Sequence, residues 1–446
     1  MHTDWLGTQD IFTRSIGRTT YWANRLTPLV EFSTSPVHAD ATAWRMCMIL
    51  SGFWAGSTPF VEITRLDAGQ SLRLERGELR LTTELPSWFT NPQGAASVDD
   101  LAAAIEGAVP RSLLNRSDLT LSGGLDSRLI LAAGLHRGGP RPRSFSTHHE
   151  SGWDGDTRIA EEVARAARLD HRLIDYGPDD WLNAREKTLD RLEHSTSMHA
   201  WLLPLARTIH NGRAARAPLL DGLAGDVLMK YHDEVAPVDR DERTRRVWAT
   251  LGANGFSASI GLRPDIRDEW ESEAQAAWRQ QMRRWDDHPY AETVMRLLTR
   301  TRRAIAASPF RLFAPERRVL TPFIDPDVVR VALSVPPLAS SDRDLRPRVL
   351  RVLDPALADI NSTVDPAVNQ GAFVERGPSS PAAVWSMVRA IDAEPSSARL
   401  FNDGALASVS ARAGARSIPQ SVRRAAMLAH WTGRWRTKLA QPLRFD

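Results

Sequence analysis

The 446-residue chain contains one cysteine, Cys47. That excludes an intramolecular disulfide, a multi-cysteine metal site and a C-x-x-C redox pair, and it disfavours sulfur transfer, which usually needs two thiols. Lysine is scarce as well, present only at Lys187, Lys230 and Lys438. The basic side is therefore nearly all arginine, with a formal net charge of +3 and an isoelectric point near 9.3. Arginine's planar fork suits phosphate and carboxylate, but arginine richness also accompanies GC-rich coding. No basic run interleaved with aromatics stands out, so no nucleic-acid partner is expected. The opening residues "MHTDWLGTQDIFTRS" have no apolar signal core, and no run reaches the length of a membrane span. No membrane contact and a cytoplasmic location are expected. Internal repeats and low-complexity tracts are absent too.

What is present has the size for two or more domains. Up to about Leu85, short β-type segments are punctuated by turns: "RTTYWA", "LVEFST", "FVEITRL" and the near-hairpin "QSLRLERGELRLTT", turning at Arg76-Gly77. A helix-like run, "ADATAWRMCMILSG", interrupts them. The stretch "LPSWFTNPQGAAS" reads as a boundary, and "SVDDLAAAIEGAV" opens a helix with Ser97 as N-cap. Strand-like and helix-like segments then alternate: "DLTL", "SRLILAAGLHR", "RSFST", "DTRIAEEVARAARL", "HRLID". Such alternation predicts a mostly parallel α/β sheet with covering helices, which binds ligands beyond the carboxyl ends of its strands. Past Trp248 the chain reads as largely helical. The expected division is 1–95 β-rich, 96–375 α/β and 376–446 helical.

One such strand end carries Ser122-Gly123-Gly124-Leu125-Asp126-Ser127. A strand feeding adjacent glycines and then a helix predicts unpaired backbone N–H groups in a small concavity, with the helix dipole adding partial positive charge. Glycine allows close approach, and such turns often require positive φ. The Ser122 and Ser127 hydroxyls add donors. Asp126 conflicts with a phosphate unless a divalent cation such as Mg²⁺ bridges the two. The loop differs from a Walker loop, which needs a lysine after its glycine. A second glycine-acid stretch, "DGLAGDVL", follows "APLL" and begins at Asp221-Gly222.

The six-residue string resembles the pyrophosphate-binding loop of the N-type ATP pyrophosphatase superfamily, and most closely the synthetase domain of the asparagine synthetase family. "SFSTHHESGWDGDTRIAEEVARAARLDHRLI" is similar to the family's next strand, its acidic residue before a helix (here Asp156) and the strand after it. "LLDGLAGDVL" resembles the second loop, and "LTPFIDPDVVRVALSVPP" a late proline-phenylalanine-aspartate segment. The resemblance spans roughly Leu101 to Asp365. It implies a parallel-sheet ATP pyrophosphatase domain, ATP and Mg²⁺ as cofactors, and Asp126 and Asp226 as metal ligands. Nucleotide contacts are implied at Leu121, Ser122, Gly123, Gly124, Asp126, Ser127, Asp221 and Gly222. The implied chemistry is adenylation of a carboxylate with release of pyrophosphate, then attack by a nitrogen nucleophile.

Ahead of that domain, "GRTTYWANRLTPLVEFSTSP" resembles the last strands of the family's glutaminase domain, and "TAWRMCMILSGFWAGSTPFVEITRLDAGQSLRL" its linker helix and hairpin. A truncated remnant is implied. The glutaminase nucleophile is an N-terminal cysteine, whereas here His2 follows Met1 and Cys47 lies inside a helix-like run, so glutamine hydrolysis is not expected. Relatives lacking it, the β-lactam synthetases and lasso-peptide cyclases, close lactams and macrolactams. By that likeness the partner is a small-molecule or peptide carboxylate, with a precursor peptide and a pathway protease in the lasso case. The alternatives are an asparagine synthetase-like amidotransferase using free or partner-supplied ammonia, and a non-catalytic ATP-binding homologue.

The pattern departs from the family in three places. Leu223 stands where asparagine synthetases have glutamate and β-lactam synthetases a dyad tyrosine. Arginines fill "RDLRPRVLRVLDPALADINST" where lysines are expected, which leaves Lys230, just past the second loop, as the candidate catalytic lysine. His148, His149, His194 and His199 are candidate nucleotide or substrate contacts; a metal role is disfavoured because no i, i+4 histidine pair with an acidic partner occurs. Trp153, Trp181, Trp201 and Trp248 are read as core residues or pocket walls.

Overall fold

A computed structural model describes residues 1–76, 78–109, 117–136, 138–210, 217–230, 240–253, 262–313, 318–337, 343–365, 377–413 and 418–445. Strands β1 (Phe12–Ile16) and β2 (Thr19–Ala23) pair antiparallel, and β3 (Ile63–Arg65) pairs with the other edge of β1. Between them run α1 (Leu26–Glu31) and α2 (Ala41–Leu50). The expected hairpin is β4 (Gln70–Glu75) with β5 (Glu78–Thr83). Arg76 takes positive φ at its turn, while Gly77 lies outside the described residues.

The segment "LVEFST" is helical at its start, not the strand its β-branched and aromatic content predicts. Helix α1 ends at Glu31 and buries Leu26, Leu29 and Val30 at helical spacing. Pro28 sits in the first turn, where its missing N–H costs nothing. The cap comes from far along the chain: the Glu193 carboxylate accepts from the Leu26 and Thr27 amides at 3.0 and 2.8 Å. Tertiary capping here overrides local propensity.

The chain then builds the predicted parallel sheet. Helix α3 (Val98–Ala108) starts at a capping box in which Ser97 Oγ accepts from the Asp100 amide and Asp100 returns the bond to Ser97. Next come β6 (Asp118–Thr120), α4 (Leu125–Leu135), β7 (Arg143–Thr147), α5 (Gly155–Ala166), β8 (His171–Ile174), α6 (Pro178–Arg191), β9 (Leu219–Leu220) and α7 (Gly225–Met229). Strand β10 (Val319–Leu320) completes a five-stranded sheet ordered β10-β9-β6-β7-β8, every pair parallel. The chain moves outward from β6 to β8 and then returns to lay β9 on the other side of β6. That reversal makes the crevice between the ends of β6 and β9 the sheet's switch point. Helix α4 is buried from Leu129 to Ala133 and packs between α3 and α8 (Arg346–Leu353). The last long helix, α9 (Gln420–Trp435), buries most of its length. No described helix is long and apolar enough to cross a membrane.

Glu193 joins the two parts of the chain, pairing with Arg25 at 3.3 Å and with Arg311 while capping α1. Burial pushes its carboxyl pKa up, but Arg311, Arg25 and the two amides outweigh that and leave it lowered. Glu193→Ala is expected to cost about 3–5 kcal/mol, read by urea unfolding at pH 7. Because the folded pKa is depressed, this contribution is whole above about pH 4.3. It disappears as pH falls through the folded pKa, so the gap between wild type and variant should narrow in acid.

Candidate functional site

Both glycine-acid loops reach the switch point. The first leaves β6 through Leu121, Ser122, Gly123 and Gly124 and enters α4; the second leaves β9 through Asp221 and Gly222 and enters α7. Leu121, Ser122, Asp126, Ser127, Asp221 and Gly222 line one cavity of about 290 Å³. Its walls also carry Asp156, His199, Trp201 and Leu223, with Phe145 and Phe313 on the apolar side.

The loops interlock. The Asp226 amide donates to Asp126 Oδ2 at 2.8 Å. Gly222 lies so close to the first loop that a Cβ there would stand 2.8 Å from the Ser127 amide nitrogen. At Gly123 a Cβ would meet the Asp156 carbonyl at 2.8 Å and Ile159 Cβ at 3.0 Å. Neither Gly123 nor Gly124 takes positive φ, so closeness, not backbone handedness, is what excludes a side chain at Gly123.

The expected bare amides are also corrected. The Ser122 amide donates to Ser127 Oγ at 3.0 Å, that of Gly123 to Asp156 Oδ1 at 3.0 Å and that of Gly124 to Ser122 Oγ at 3.3 Å. The donors of this buried loop are satisfied by neighbouring side chains. No side chain caps α4, so the first-turn amides of that 11-residue helix are the ones aimed outward for an anion. Arg128, two residues after Asp126, turns away to bind the carbonyls of Leu357, Ile360 and Asn361 at 3.1, 2.6 and 3.0 Å. It braces the loop from behind and does not line the cavity.

Asp126 is the electrostatic centre. Burial raises its pKa to about 6; Arg346 opposes the rise and Asp226 adds to it. Arg346, at the start of α8, donates to Asp126 Oδ1 at 3.0 Å and holds Asp344 at 2.7 Å. This guanidinium, which is not among the residues lining the cavity, is the partner of Asp126 that loop reading missed. The signal was the arginine run standing where the family's lysines are expected. Asp221 and Asp156 are raised by burial too, against one amide and a hydroxyl for the former and the Gly123 amide for the latter. Asp126 lines the cavity, whereas Asp226, whose charge acts on it, does not; their carboxylates are hard-oxygen donors of the kind that suits Mg²⁺.

The remaining candidates fall elsewhere. Lys230 follows α7, half-buried, and is not among the residues lining the cavity. His149 bonds Ser151 at 2.9 Å and stacks edge-on with Trp201, and His148 lies 3.6 Å from Asp175. His194 meets His430 at 2.8 Å, with Asp190 nearby. Among the described residues this is the one cluster of three side chains with metal-ligand character. Its hydrogen bond and the Arg434–Asp190 ion pair account for the cluster without a metal. Trp181 and Trp248 are core residues, while Trp201 does line the cavity. Cys47 is fully buried in α2, where burial pushes its thiol up to about 12 despite Arg424, and it packs as a small hydrophobe.

Against this geometry, the family model described as asparagine synthase matches residues 101–354. The chain belongs to that family and is an ATP-dependent carbon–nitrogen ligase in general class. No curated protein matches it.

The interlocked loops generate a paired prediction. Gly222→Ala must drive backbone from backbone and is expected to cost about 1–3 kcal/mol and to abolish the thermal shift given by Mg-ATP. Gly107→Ala, on α3 with nothing within 4 Å of the new Cβ, is expected to gain about 0.5–1 kcal/mol and keep that shift. Thermal unfolding with and without nucleotide reads both.

Proposed function

We propose that this chain activates a substrate carboxylate as its adenylate, releases pyrophosphate and passes the acyl group to an amine, closing a lactam or macrolactam in natural-product assembly without hydrolysing glutamine. The observation that carries the reading is the meeting of two glycine-acid loops at the switch point, tied through Asp126 and Asp226. Asp126 and Asp226 would hold Mg²⁺, which when bound neutralises phosphate charge.

The chain's own groups supply the rest. The open N-terminus of α4 takes the phosphate tail, with the Ser122 and Ser127 hydroxyls turning from each other, 3.1 Å apart, to the anion. Arg346 is permanently charged and needs only to exchange Asp126 for the departing pyrophosphate, an electrostatic contribution. Leu223, Phe145 and Phe313 form an apolar wall that keeps water from an activated acyl group. Leu223 has no proton to give or take, so the amine's proton leaves by another route than the family's dyad. The inaccessible Cys47 thiol supports an amine supplied by substrate in place of ammonia cut from glutamine. By the likeness to lasso-peptide cyclases, the substrate would be a precursor peptide trimmed by a pathway protease.

Asp126→Asn and Asp226→Asn are each expected to lower carboxylate-dependent ATP–pyrophosphate exchange by about 10²–10³-fold with circular dichroism unchanged. Wild-type exchange in either variant would overturn the metal assignment, and orthophosphate as product would overturn the reaction class. Incubation of the pure chain with glutamine is expected to yield no glutamate.

A further inference from the structure

Beside the nucleotide cavity lies a second one of about 100 Å³, and His199 lines both. The second cavity sits where the N-terminal part meets the segments after α6 and before β10. Its walls carry Asp10, Arg65, Arg300 and Arg303, with Ser195 and His199. Three guanidiniums and one carboxylate thus line it, and that carboxylate is already engaged: Asp10 pairs with Arg303 at 3.2 Å and with Arg311 at 3.0 Å, while Arg303 also reaches Asp67, outside the lining, at 3.7 Å. Arg300 has no ion pair among the described residues.

Among the buried polar atoms without a hydrogen-bond partner are Arg65 Nε, Ser195 Oγ, His199 Nδ1 and Arg303 Nε. All four belong to residues lining this one cavity. What sets these four apart is that they share one cavity with three guanidiniums, so a single small acceptor placed there could answer several of them at once. His199 also stands in the left-handed region at φ 74°, a strained placement for a residue with a side chain. Burial holds its imidazole uncharged, with the pKa lowered to about 4 although Glu150 pulls the other way; Arg423, Arg300 and His149 add to the lowering. Burial, Arg65 and Arg302 press the pKa of Arg303 down against Asp10 and Asp67, the mark of crowded positive charge.

We propose that this cavity binds a carboxylate group, held by the Arg65 and Arg303 guanidiniums and the Ser195 hydroxyl, with His199 as the partition between it and the nucleotide site. The volume admits roughly three waters or one group of acetate's size. Water would satisfy the orphaned donors but leave the charge excess; a carboxylate answers both. A role in anchoring a carboxylate of the ligase's substrate rests on the function proposed above, whereas the binding itself does not.

The test uses the full chain with acetate as probe, by thermal unfolding at fixed pH and ionic strength. A saturable rise in Tm is expected, with the half-saturating acetate concentration raised about fivefold or more in Ser195→Ala and Arg300→Ala. Arg300 is exposed, so its variant folds even if the buried hydroxyl proves structural. Crystals soaked in bromide are expected to show an anomalous peak between Arg65 and Arg303. A non-saturating response, identical in wild type and both variants, would overturn the site. So would a cavity filled by ordered water alone, or a bromide peak with no solution counterpart, an adventitious ion only. Acetate binding needs neither ATP nor turnover, so its failure leaves the ligase reading intact, and loss of pyrophosphate exchange leaves the anion site intact.

Discussion

The Asp226 amide, 2.8 Å from the Asp126 carboxylate, fastens together two loops that the chain separates by a hundred residues. Everything else at the switch point answers to that bond. Gly222 and Gly225 have no side chain because the space a Cβ would take is occupied by the Ser127 backbone and the Asp126 carboxyl respectively. Arg346 approaches from α8 because the bond brings Asp126 and Asp226 side by side, and their mutual repulsion needs a cation. An ion pair this buried seldom adds much stability, since desolvation offsets attraction.

Ligand binding at such a site is an exchange of partners. Ser122, Gly123 and Gly124 already donate to Ser127, Asp156 and Ser122, so a phosphate that displaced those acceptors would gain only the difference between two bonds. A neutral hydrogen bond is worth about 0.5–1.5 kcal/mol net and one to a charged group about 1.5–3. The affinity therefore comes mostly from charge: the helix terminus, Arg346 and any bridging cation. Glycine-rich loops are often described as waiting nests, but this one is a closed network whose serine hydroxyls can rotate outward at little cost.

How far the sequence could be read depended on where the determining interactions lie. Strands β6 to β8 and their helices were legible because burial alternates with amphipathic helix within each short segment, as "DTRIAEEVARAARL" shows. The capping box at Ser97 and Asp100 was legible because both halves sit three residues apart. Helix α1 was not, since its cap is Glu193, and no local pattern in "LVEFST" carries that information. The loop residues announced themselves by composition, but their internal bonding did not: Gly123 is satisfied by Asp156, a residue on another helix. Arg346 was visible only as one arginine among several, because its role depends on α8 delivering it to Asp126. The second cavity was invisible for the same reason, being assembled from Arg65, Ser195 and Arg303 on three distant segments.

Leucine at position 223 bears on how the proposed amide bond could form. Its amide donates to Asp221 at 2.9 Å, which keeps the second loop in shape, but its side chain adds only apolar surface to the cavity. A nitrogen attacking an acyl carbon becomes acidic as the bond forms, so its proton can pass to a weak base. Arginines cannot accept it. The Asp126 carboxylate is committed to Arg346 and the Asp226 amide, and neither Asp226 nor Lys230 is on the cavity wall. The titratable groups left on that wall are Asp156, Asp221 and His199, and His199, at φ 74°, is shared with the cavity behind it. The same cavity wall thus carries Leu223, with no proton to exchange, and His199, whose imidazole burial holds below its usual pKa.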